Sequence, residues 1–532
     1  MTRYHKSSDM IEKNEAKQLK RSWLLDGIII VSLLALFAVL TLIGIENSSI
    51  WFDEAFSAYI TQFNFVDIAR YTATDVHPPL YYWLLKSWEL VFGDSALALR
   101  SLSVLFAMAT GIIGYFLLKR FFGLRTAAVG LLLFVLSPMI IRYSQEARMY
   151  MLISLIVMSA VATLIKAEET KRRSLYVWYG VLLALGMWTH YLVALAWLAV
   201  WVGRALVLWS KGERGKQLLR AFFSKDWIYA HVVAVALFLP WLPYMAIQLT
   251  TIQATGFWIG PVGVDTPVNY LTNAFYYLEH GEVQGWLALL LMVVLGLLLT
   301  SAIRTYRILA PAKKRVYLLL FAMAVVPPLL LFLTSLPPLR SSWVERYLFP
   351  AIIFIPLLLA IVTTYGRHWK RVGSLALLGL VITMFAIGIG NVKYYGNFNK
   401  NSGVTIQTKQ LMEKVIAHAA PGEPIIANSP WTFYEAVFYE TKEHPVYFID
   451  ADTEYAFGSL DMLKYNDMHK IKDLKAFTSE HPVVWYIGFS STRLAPPPNT
   501  SWKELRTEET FDTIRQVSNY KAVRFSTGTS AE

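Results

Sequence analysis

Repeated apolar blocks dominate this chain, and several reach the ~20 residues that a helix needs to cross a ~30 Å hydrocarbon core. Eleven such segments can be placed at about 24–45, 96–118, 126–142, 149–166, 175–189, 191–209, 228–248, 285–303, 316–335, 347–365 and 372–390. Each is predicted to be a helix, because hydrocarbon cannot satisfy the backbone groups of an open strand. Only 16% of the residues are charged, against ~25% in soluble domains. The sequence therefore predicts an α-helical polytopic membrane protein.

Basic residues are distributed unevenly between alternate loops. Lys and Arg number 27 in the stretches 1–21, 119–125, 166–173, 204–225, 304–315 and 367–371, and six in the opposite loops before residue 391. Cytoplasmic loops are enriched in Lys and Arg, so we predict a cytoplasmic N-terminal segment, 1–22. The apolar run that follows is too long for a signal peptide and predicts a retained first helix. The asymmetry also accounts for the net charge of +12 without a nucleic-acid partner.

The composition changes after residue 390. Charge becomes nearly balanced, and short β-like stretches (Pro424–Ala427, Val446–Ile449, Val483–Ile487) alternate with helical patterns (Thr408–Ala419, Thr432–Glu440). We therefore predict a transmembrane domain over 23–390 and a soluble α/β domain over 391–532. An odd number of spans places this domain outside the cell. The chain contains no Cys, which excludes disulfides and a cysteine nucleophile.

The first predicted outer loop, 46–95, contains two motifs that suit chemistry at the membrane surface. Asp53 and Glu54 follow the first helix directly, and His77 precedes Pro-Pro and an aromatic run that includes Tyr81 and Tyr82. An acid in this position can take a proton from a hydroxyl or bind a divalent cation. The structural alternatives are a solvated loop acid and a rigid turn below an interfacial aromatic belt.

The later outer loops add basic and acidic groups. The second loop contains Arg142, Glu146 and Arg148 between two apolar segments, where charges are costly unless they face water or one another. They either pair together or face a shared cavity, and a guanidinium group suits phosphate. His190 lies between two apolar segments, and Arg346 stands at the start of the tenth. The structural alternative for His190 is a polar residue whose hydrogen bonds are satisfied within the protein. For Arg346 it is an anchor whose charged end reaches the membrane surface.

Taken in order, these motifs resemble those of a known enzyme family. Asp-Glu, Pro-Pro-Leu-Tyr-Tyr-Trp, Tyr-Ser-Gln-Glu-Ala-Arg-Met-Tyr, Thr-His-Tyr and Glu-Arg-Tyr-Leu-Phe-Pro resemble the GT-C glycosyltransferases, in the family 39-like branch of protein O-mannosyltransferases and lipid A aminoarabinose transferases. The resemblance covers about residues 20–390. It implies a GT-C fold in the cell membrane and inverting transfer of a sugar from a polyprenyl-phosphate donor. The acceptor would be a hydroxyl of an unknown glycan, lipid or protein on the extracytoplasmic face.

The resemblance also implies roles for individual residues. Asp53 matches the family's candidate base, Glu54 its neighbour and Glu146 the second acid, and a divalent cation (Mg, Mn or Zn) at Asp53 and Glu146 is left open. His77 stands where the aminoarabinose transferases have lysine before Pro-Pro. Arg346 matches a basic residue expected near the lipid phosphate. The substrate-binding residues expected from these motifs are His77, Tyr81, Tyr82, Arg148, His190 and Arg346.

Two other classes of protein remain open from the sequence. A transporter or flippase for lipid-linked sugars would carry ionisable residues near the middle of its helices, whereas those found here cluster in predicted outer loops. A non-catalytic scaffold would bind its partner through the domain at 391–532.

Overall fold

The computed structural model describes residues 23–255, 259–278, 285–365, 371–395, 400, 407–450, 460–464, 467–489, 494–512 and 517–528. The predicted cytoplasmic segment, 1–22, lies outside the described residues. Helices account for most of the chain up to residue 395, and a mixed sheet with flanking helices forms the tail domain, which we define as residues 407–528.

The helices up to residue 255 are α1 (Trp23–Leu42), α2 (Phe52–Ile60), α3 (Phe65–Ala73), α4 (Leu80–Phe92), α5 (Ala96–Phe122), α6 (Leu124–Leu136), α7 (Pro138–Ser144), α8 (Tyr150–Thr170), α9 (Arg173–Met187), α10 (Ala194–Ser210), α11 (Gly215–Phe222), α12 (Lys225–Phe238) and α13 (Leu242–Thr255). Those that follow are α14 (Thr266–Tyr276), α15 (Gly285–Ile308), α16 (Pro311–Thr334), α17 (Phe349–Ile352), α18 (Ile355–Thr364) and α19 (Arg371–Gly390). Short 3-10 turns occur at Tyr191–Val193, Leu239–Trp241 and Glu345–Leu348, and a π-helical turn occurs at Asn391–Tyr395.

All eleven predicted apolar segments are helical. Among the described residues, eight helices are long and apolar enough to cross a membrane, and two bent pairs raise the number to ten. α6 and α7 meet at 58°, because Pro138 has no N–H to continue the helical hydrogen bonds. The remaining segment, α9, has 15 residues, fewer than the ~20 needed to span the core. The structure confirms the polytopic class, with eight to ten spans against eleven predicted segments.

Large apolar side chains remain exposed along the helices. Leu289 is 65% exposed and Met292 69% exposed, and similar residues follow on most of the long helices. Soluble monomers rarely leave such continuous apolar surface uncovered. The exposed faces therefore suit contact with lipid.

The tail domain is built on a six-stranded sheet with the order β3-β2-β1-β4-β6-β5. Its strands are β1 (Ile425–Ala427), β2 (Val446–Ile449), β3 (Lys470–Ile471), β4 (Val483–Phe489), β5 (Lys503–Asp512) and β6 (Val517–Ser526), and its helices are α20 (Thr408–His418), α21 (Pro430–Val437), α22 (Leu460–Lys464) and α23 (Leu474–Glu480). β1 to β4 pair in parallel, and β6 pairs antiparallel with β4 and β5. The predicted α/β class is confirmed, including all three predicted strands and both predicted helices.

Aromatic side chains join the tail domain to the loop at 46–95. The rings of Phe52 and Trp431 stack with 4.2 Å between centroids. Tyr59 meets Phe433 and Tyr434 edge to face, at 5.6 and 5.3 Å. α21 therefore packs on α2, and the end of the helical bundle that carries α2 is called the tail-bearing end below.

Candidate active site

α2 carries the Asp-Glu pair in its first turn, where acids interact favourably with the helix dipole. Consecutive helical residues point about 100° apart, so the two carboxylates face different surroundings. The Asp53 side chain is 17% exposed, whereas the Glu54 side chain is 0% exposed. α2 therefore separates an open side, with Asp53, from a closed side, with Glu54.

Two arginines from distant parts of the chain flank Asp53 on the open side. Arg148 Nε lies 3.9 Å and Arg346 Nη2 lies 3.6 Å from Asp53 Oδ2. Arg148 is held in place by Nη1, which donates to the Tyr82 hydroxyl at 3.1 Å and to the Ser57 hydroxyl at 3.3 Å. Within the described part of the chain, the Asp53 carboxylate accepts no hydrogen bond. Its oxygens therefore remain available to a substrate hydroxyl.

Two buried histidines complete the open side. His77 Nδ1 lies 3.5 Å from Asp75 Oδ2, and the His77 and His190 ring centroids are 5.2 Å apart. The His190 ring centroid lies 4.9 Å from that of Tyr347. Burial lowers the pKa of both histidines, and neighbouring His77 lowers that of His190 further. A neutral imidazole can donate a hydrogen bond to a phosphate oxygen, but it lacks the charge of a lysine.

The closed side is a buried network centred on Glu54. Its carboxylate accepts hydrogen bonds from Arg100 Nε (2.9 Å), Arg100 Nη2 (2.7 Å) and Lys400 Nζ (2.6 Å). The backbone N–H of Ala147 donates to it at 3.0 Å. Burial raises the pKa of Glu54, but Arg100 and Lys400 outweigh burial and hold this pKa below its ordinary value. All four contacts are with the protein, so this geometry lends no support to the predicted catalytic role of Glu54.

Arg100 and Lys400 are the two charged residues of this network that the sequence reasoning missed. Arg100 Nη1 and Nη2 donate to the carbonyls of Ser48 (3.1 Å) and Ser49 (3.0 Å), which fixes the entry to α2. A lone arginine at the start of an apolar segment costs free energy unless it is paired. Arg100 could therefore have been singled out from the sequence. Lys400 lies in a polar stretch of the sequence, where a lysine is ordinary, so nothing local indicated its contact with Glu54.

Glu146 lies in the second loop and pairs with Arg142 rather than Arg148. Arg142 Nη1 donates to Glu146 Oε2 at 2.8 Å, and the Ser103 hydroxyl donates to the Glu146 carbonyl at 2.6 Å. The other carboxylate oxygen, Oε1, is buried without a hydrogen-bond partner in the described residues. Burial raises the pKa of Glu146. A buried oxygen without a partner can accept a hydrogen bond from a bound group.

The structure gathers most of the predicted residues around α2. Tyr82 contacts Arg148, and the Tyr81 ring packs beside that of Tyr82 at 5.6 Å. The members of the open side are Asp53, His77, Tyr82, Arg148, His190 and Arg346. Glu54 belongs to the closed side and Glu146 adjoins it. The catalytic and binding roles of these residues stay predictions.

The predicted divalent cation finds a poor set of ligands in the described residues. Among them, no three His, Cys, Asp or Glu side chains are grouped so that they could hold a metal ion. Asp53 has two guanidinium groups within 4 Å where a cation would stand, and Arg142 occupies one oxygen of Glu146. The residues present do not fit a cation at this pair.

The fold and the site define a polytopic membrane protein with a cluster of buried charged side chains at one end of its helical bundle. Residues 76–244, less than half of the chain, match the family model described as dolichyl-phosphate-mannose-protein mannosyltransferase. This range includes the motifs around His77, Arg148 and His190. No curated protein sequence matches the chain.

Two solved structures of one protein share the fold. ArnT from Cupriavidus metallidurans in the apo state has a TM-score of 0.61 and 14% identity, over 95% of this chain and 98% of that one. The same protein bound to undecaprenyl phosphate gives 0.59 and 14%, over 94% and 98%. The apo oligosaccharyltransferase of Archaeoglobus fulgidus gives 0.46 and 12%, over 88% and 70%. The resemblance to the GT-C enzymes is thus confirmed, and together with the family match it supports a membrane glycosyltransferase.

Proposed function

We propose that this protein transfers a sugar from a polyprenyl-phosphate donor to an acceptor hydroxyl on the extracytoplasmic face of the cell membrane, with inversion. One observation carries the proposal. The partly exposed carboxylate of Asp53 lies beside two guanidinium groups, Arg148 and Arg346, that come from separate loops. The cluster thus combines a proton acceptor with two permanent positive charges, as this reaction requires.

The two arginines suit the phosphate of the donor. A guanidinium group offers parallel N–H donors that match phosphate oxygens, and Arg346 and Arg148 place such groups near one carboxylate. The structurally similar ArnT has been solved with undecaprenyl phosphate bound, which supports a polyprenyl carrier here. A carrier already in the membrane also explains why the chain needs no nucleotide-binding motif.

The reaction follows from these groups as a single displacement. The acceptor hydroxyl oxygen attacks the anomeric carbon while its proton passes to the Asp53 carboxylate. The bond between that carbon and the phosphate oxygen breaks, and its electron pair leaves with the lipid phosphate. Arg346 and Arg148 stabilise the charge that develops on this leaving group. Attack opposite the leaving group inverts the anomeric configuration.

A transporter and a glycosyltransferase differ in whether they consume the lipid-linked sugar donor. Purified protein in nanodiscs would be given synthetic undecaprenyl-phosphate sugars, a panel of soluble and lipid hydroxyl acceptors, and an assay for free undecaprenyl phosphate. A transferase releases this lipid phosphate in step with an inverted glycoside product. A flippase moves the labelled donor between leaflets of a proteoliposome without consuming it, and a scaffold does neither. Transbilayer movement without any release across the panel would overturn the proposal.

A further inference from the structure

A single lysine from the segment that leads to the tail domain is buried in the closed side of the site. Lys400 is 0% exposed, and its ammonium group donates to Glu54 Oε2 at 2.6 Å. Its carbonyl oxygen accepts the N–H of Ser48 at 3.0 Å. Side chain and backbone of this one residue therefore both contact the first outer loop.

Through Glu54 of α2, this lysine is linked to the start of α5 and to the second loop. The same carboxylate binds Arg100 at the start of α5 and the N–H of Ala147 in the second loop. The next residue, Arg148, continues to the open side, where its Nη1 donates to the Asp53 carbonyl at 3.3 Å. Glu54 is also covalently next to Asp53. The network thus connects the lysine to the proposed base by two short routes.

We propose that Lys400 is a positioning residue that couples docking of the tail domain to the placement of Asp53 on the open side. This inference rests on the proposed function for its catalytic consequence. Lys400 itself has no exposed surface, so it acts through Glu54 and not by touching substrate.

The energetics favour coupling over a passive contact. A buried charge is costly unless it is paired and hydrogen-bonded, and removal of one partner leaves the other uncompensated. Burial, together with Arg100 and Arg142, lowers the pKa of Lys400 to about 7, while Glu54 and Glu146 act in the opposite direction. The Glu54 and Glu146 carboxylates therefore both favour the charged form of the lysine, and only Glu54 accepts a hydrogen bond from it. The aromatic contacts between α21 and α2 hold the tail domain to α2 without adding any charge requirement.

Three lysine variants separate positioning from simple stability. Lys400→Met keeps the chain length and removes the charge and donor, Lys400→Gln keeps a donor without the charge, and Lys442→Met removes an exposed lysine of the tail domain as the control. Each is measured for kcat and donor KM per folded molecule, with undecaprenyl-phosphate sugar as donor. Hydrogen–deuterium exchange of the α2 peptide is followed in parallel.

Lys400→Met is expected to lower kcat about 10- to 100-fold, which corresponds to the loss of a hydrogen bond to a charged group, with little change in donor KM. Exchange in α2 should become faster, Lys400→Gln should fall between Met and wild type, and Lys442→Met should match wild type. If Lys400→Met does not fold, Lys400→Gln decides by the same measurements. Normal kcat and unchanged α2 exchange in the folded variants would overturn the proposal. If wild type shows no transfer at all, the proposed function fails, while the exchange measurement still tests the coupling.

Discussion

The two ends of the helical bundle both carry clusters of charged side chains, but the clusters differ in burial. At the tail-bearing end, the side chains of Glu54, Arg100 and Lys400 are 0% exposed. α8 runs away from this end for 21 residues, or about 30 Å, and at its far end Glu169 pairs with Arg120 and Arg315 at 2.9 and 3.3 Å. The side chains of this opposite cluster are 18–59% exposed.

The difference separates two reasons for having charges at the end of a bundle. Partly exposed ion pairs cost little free energy to form and contribute little to stability. Such pairs are ordinary at the end of a membrane helix. Buried charges are expensive, and strongly perturbed ionisable groups cluster at functional sites. The tail-bearing end also holds a carboxylate, Asp53, that lies beside cations and has no hydrogen bond from the described residues. We therefore expect substitutions there to affect turnover, and substitutions at the opposite end to affect stability slightly.

We predict that the two ends of the bundle lie on different sides of the membrane. The 27-to-6 distribution of Lys and Arg predicts that the opposite end is cytoplasmic and the tail domain extracytoplasmic. Protease shaving of intact cells should therefore remove a tag placed after residue 532 completely and leave an N-terminal tag intact. A C-terminal tag that survives on intact cells but is cleaved after lysis would reverse the assignment.

Asp53→Asn should have the largest effect on turnover. The substitution keeps the size of the side chain and removes the proton acceptor, and loss of a general base typically lowers the rate ~10²–10⁴-fold. Folding should be retained, because the side chain is partly exposed and accepts no hydrogen bond from the described residues. The measurement is kcat per folded molecule, with thermal stability as control. A rate within a few-fold of wild type would remove Asp53 as the base.

The agreement between sequence and fold follows from the strength of the patterns. An apolar run of twenty residues has one stable solution in lipid, so every predicted segment is a helix, and β-like runs between turn residues located β1, β2 and β4. The hairpin of β5 and β6 was missed. β5, with the sequence Lys-Glu-Leu-Arg-Thr-Glu-Glu-Thr-Phe-Asp, is rich in charge and lacks the apolar signal of a strand.

The sequence indicated which residues belong to the site, but not how their side chains are arranged. Ordered motifs indicated that Asp53, Arg148 and Arg346 belong together, and the structure brings their side chains within 4 Å. Two adjacent acids look equivalent in sequence, yet the rotation of about 100° between consecutive helical residues directs them to different sides of α2. Lys400 reaches Glu54 across 346 positions of chain, and such a contact depends on tertiary packing that no local pattern encodes.

Arg346 tests the donor phosphate and should give an intermediate effect. Arg346→Lys keeps the charge but loses the planar pair of donors, so it is not conservative at a phosphate site. Each lost hydrogen bond to a charged group costs about 1.5–3 kcal/mol. Donor use should therefore weaken by tenfold or more in Arg346→Ala and less in Arg346→Lys, with acceptor KM nearly unchanged.

The alternative for Arg346 is an interfacial anchor. As an anchor, it would support insertion of the bent pair formed by Glu345–Ile352 and α18. Both variants would then yield less folded protein with normal activity per molecule. Donor saturation curves measured per folded molecule distinguish these roles, and an unchanged curve for Arg346→Ala would exclude the phosphate contact.

Glu169→Gln at the opposite end should have the smallest effect of all. Its pairs with Arg120 and Arg315 are partly exposed, and pairs of this kind contribute about 0–1 kcal/mol and weaken in salt. We expect a slight loss of thermal stability that disappears at high salt, and turnover within about twofold of wild type.

Glu146→Gln is the matched variant at the tail-bearing end, because Glu146 also pairs with an arginine but is fully buried. It should lower stability more, with little salt dependence, since buried pairs are poorly screened. Equal, salt-sensitive losses in the two variants would show that burial does not distinguish the ends, and the contrast drawn between them would fail.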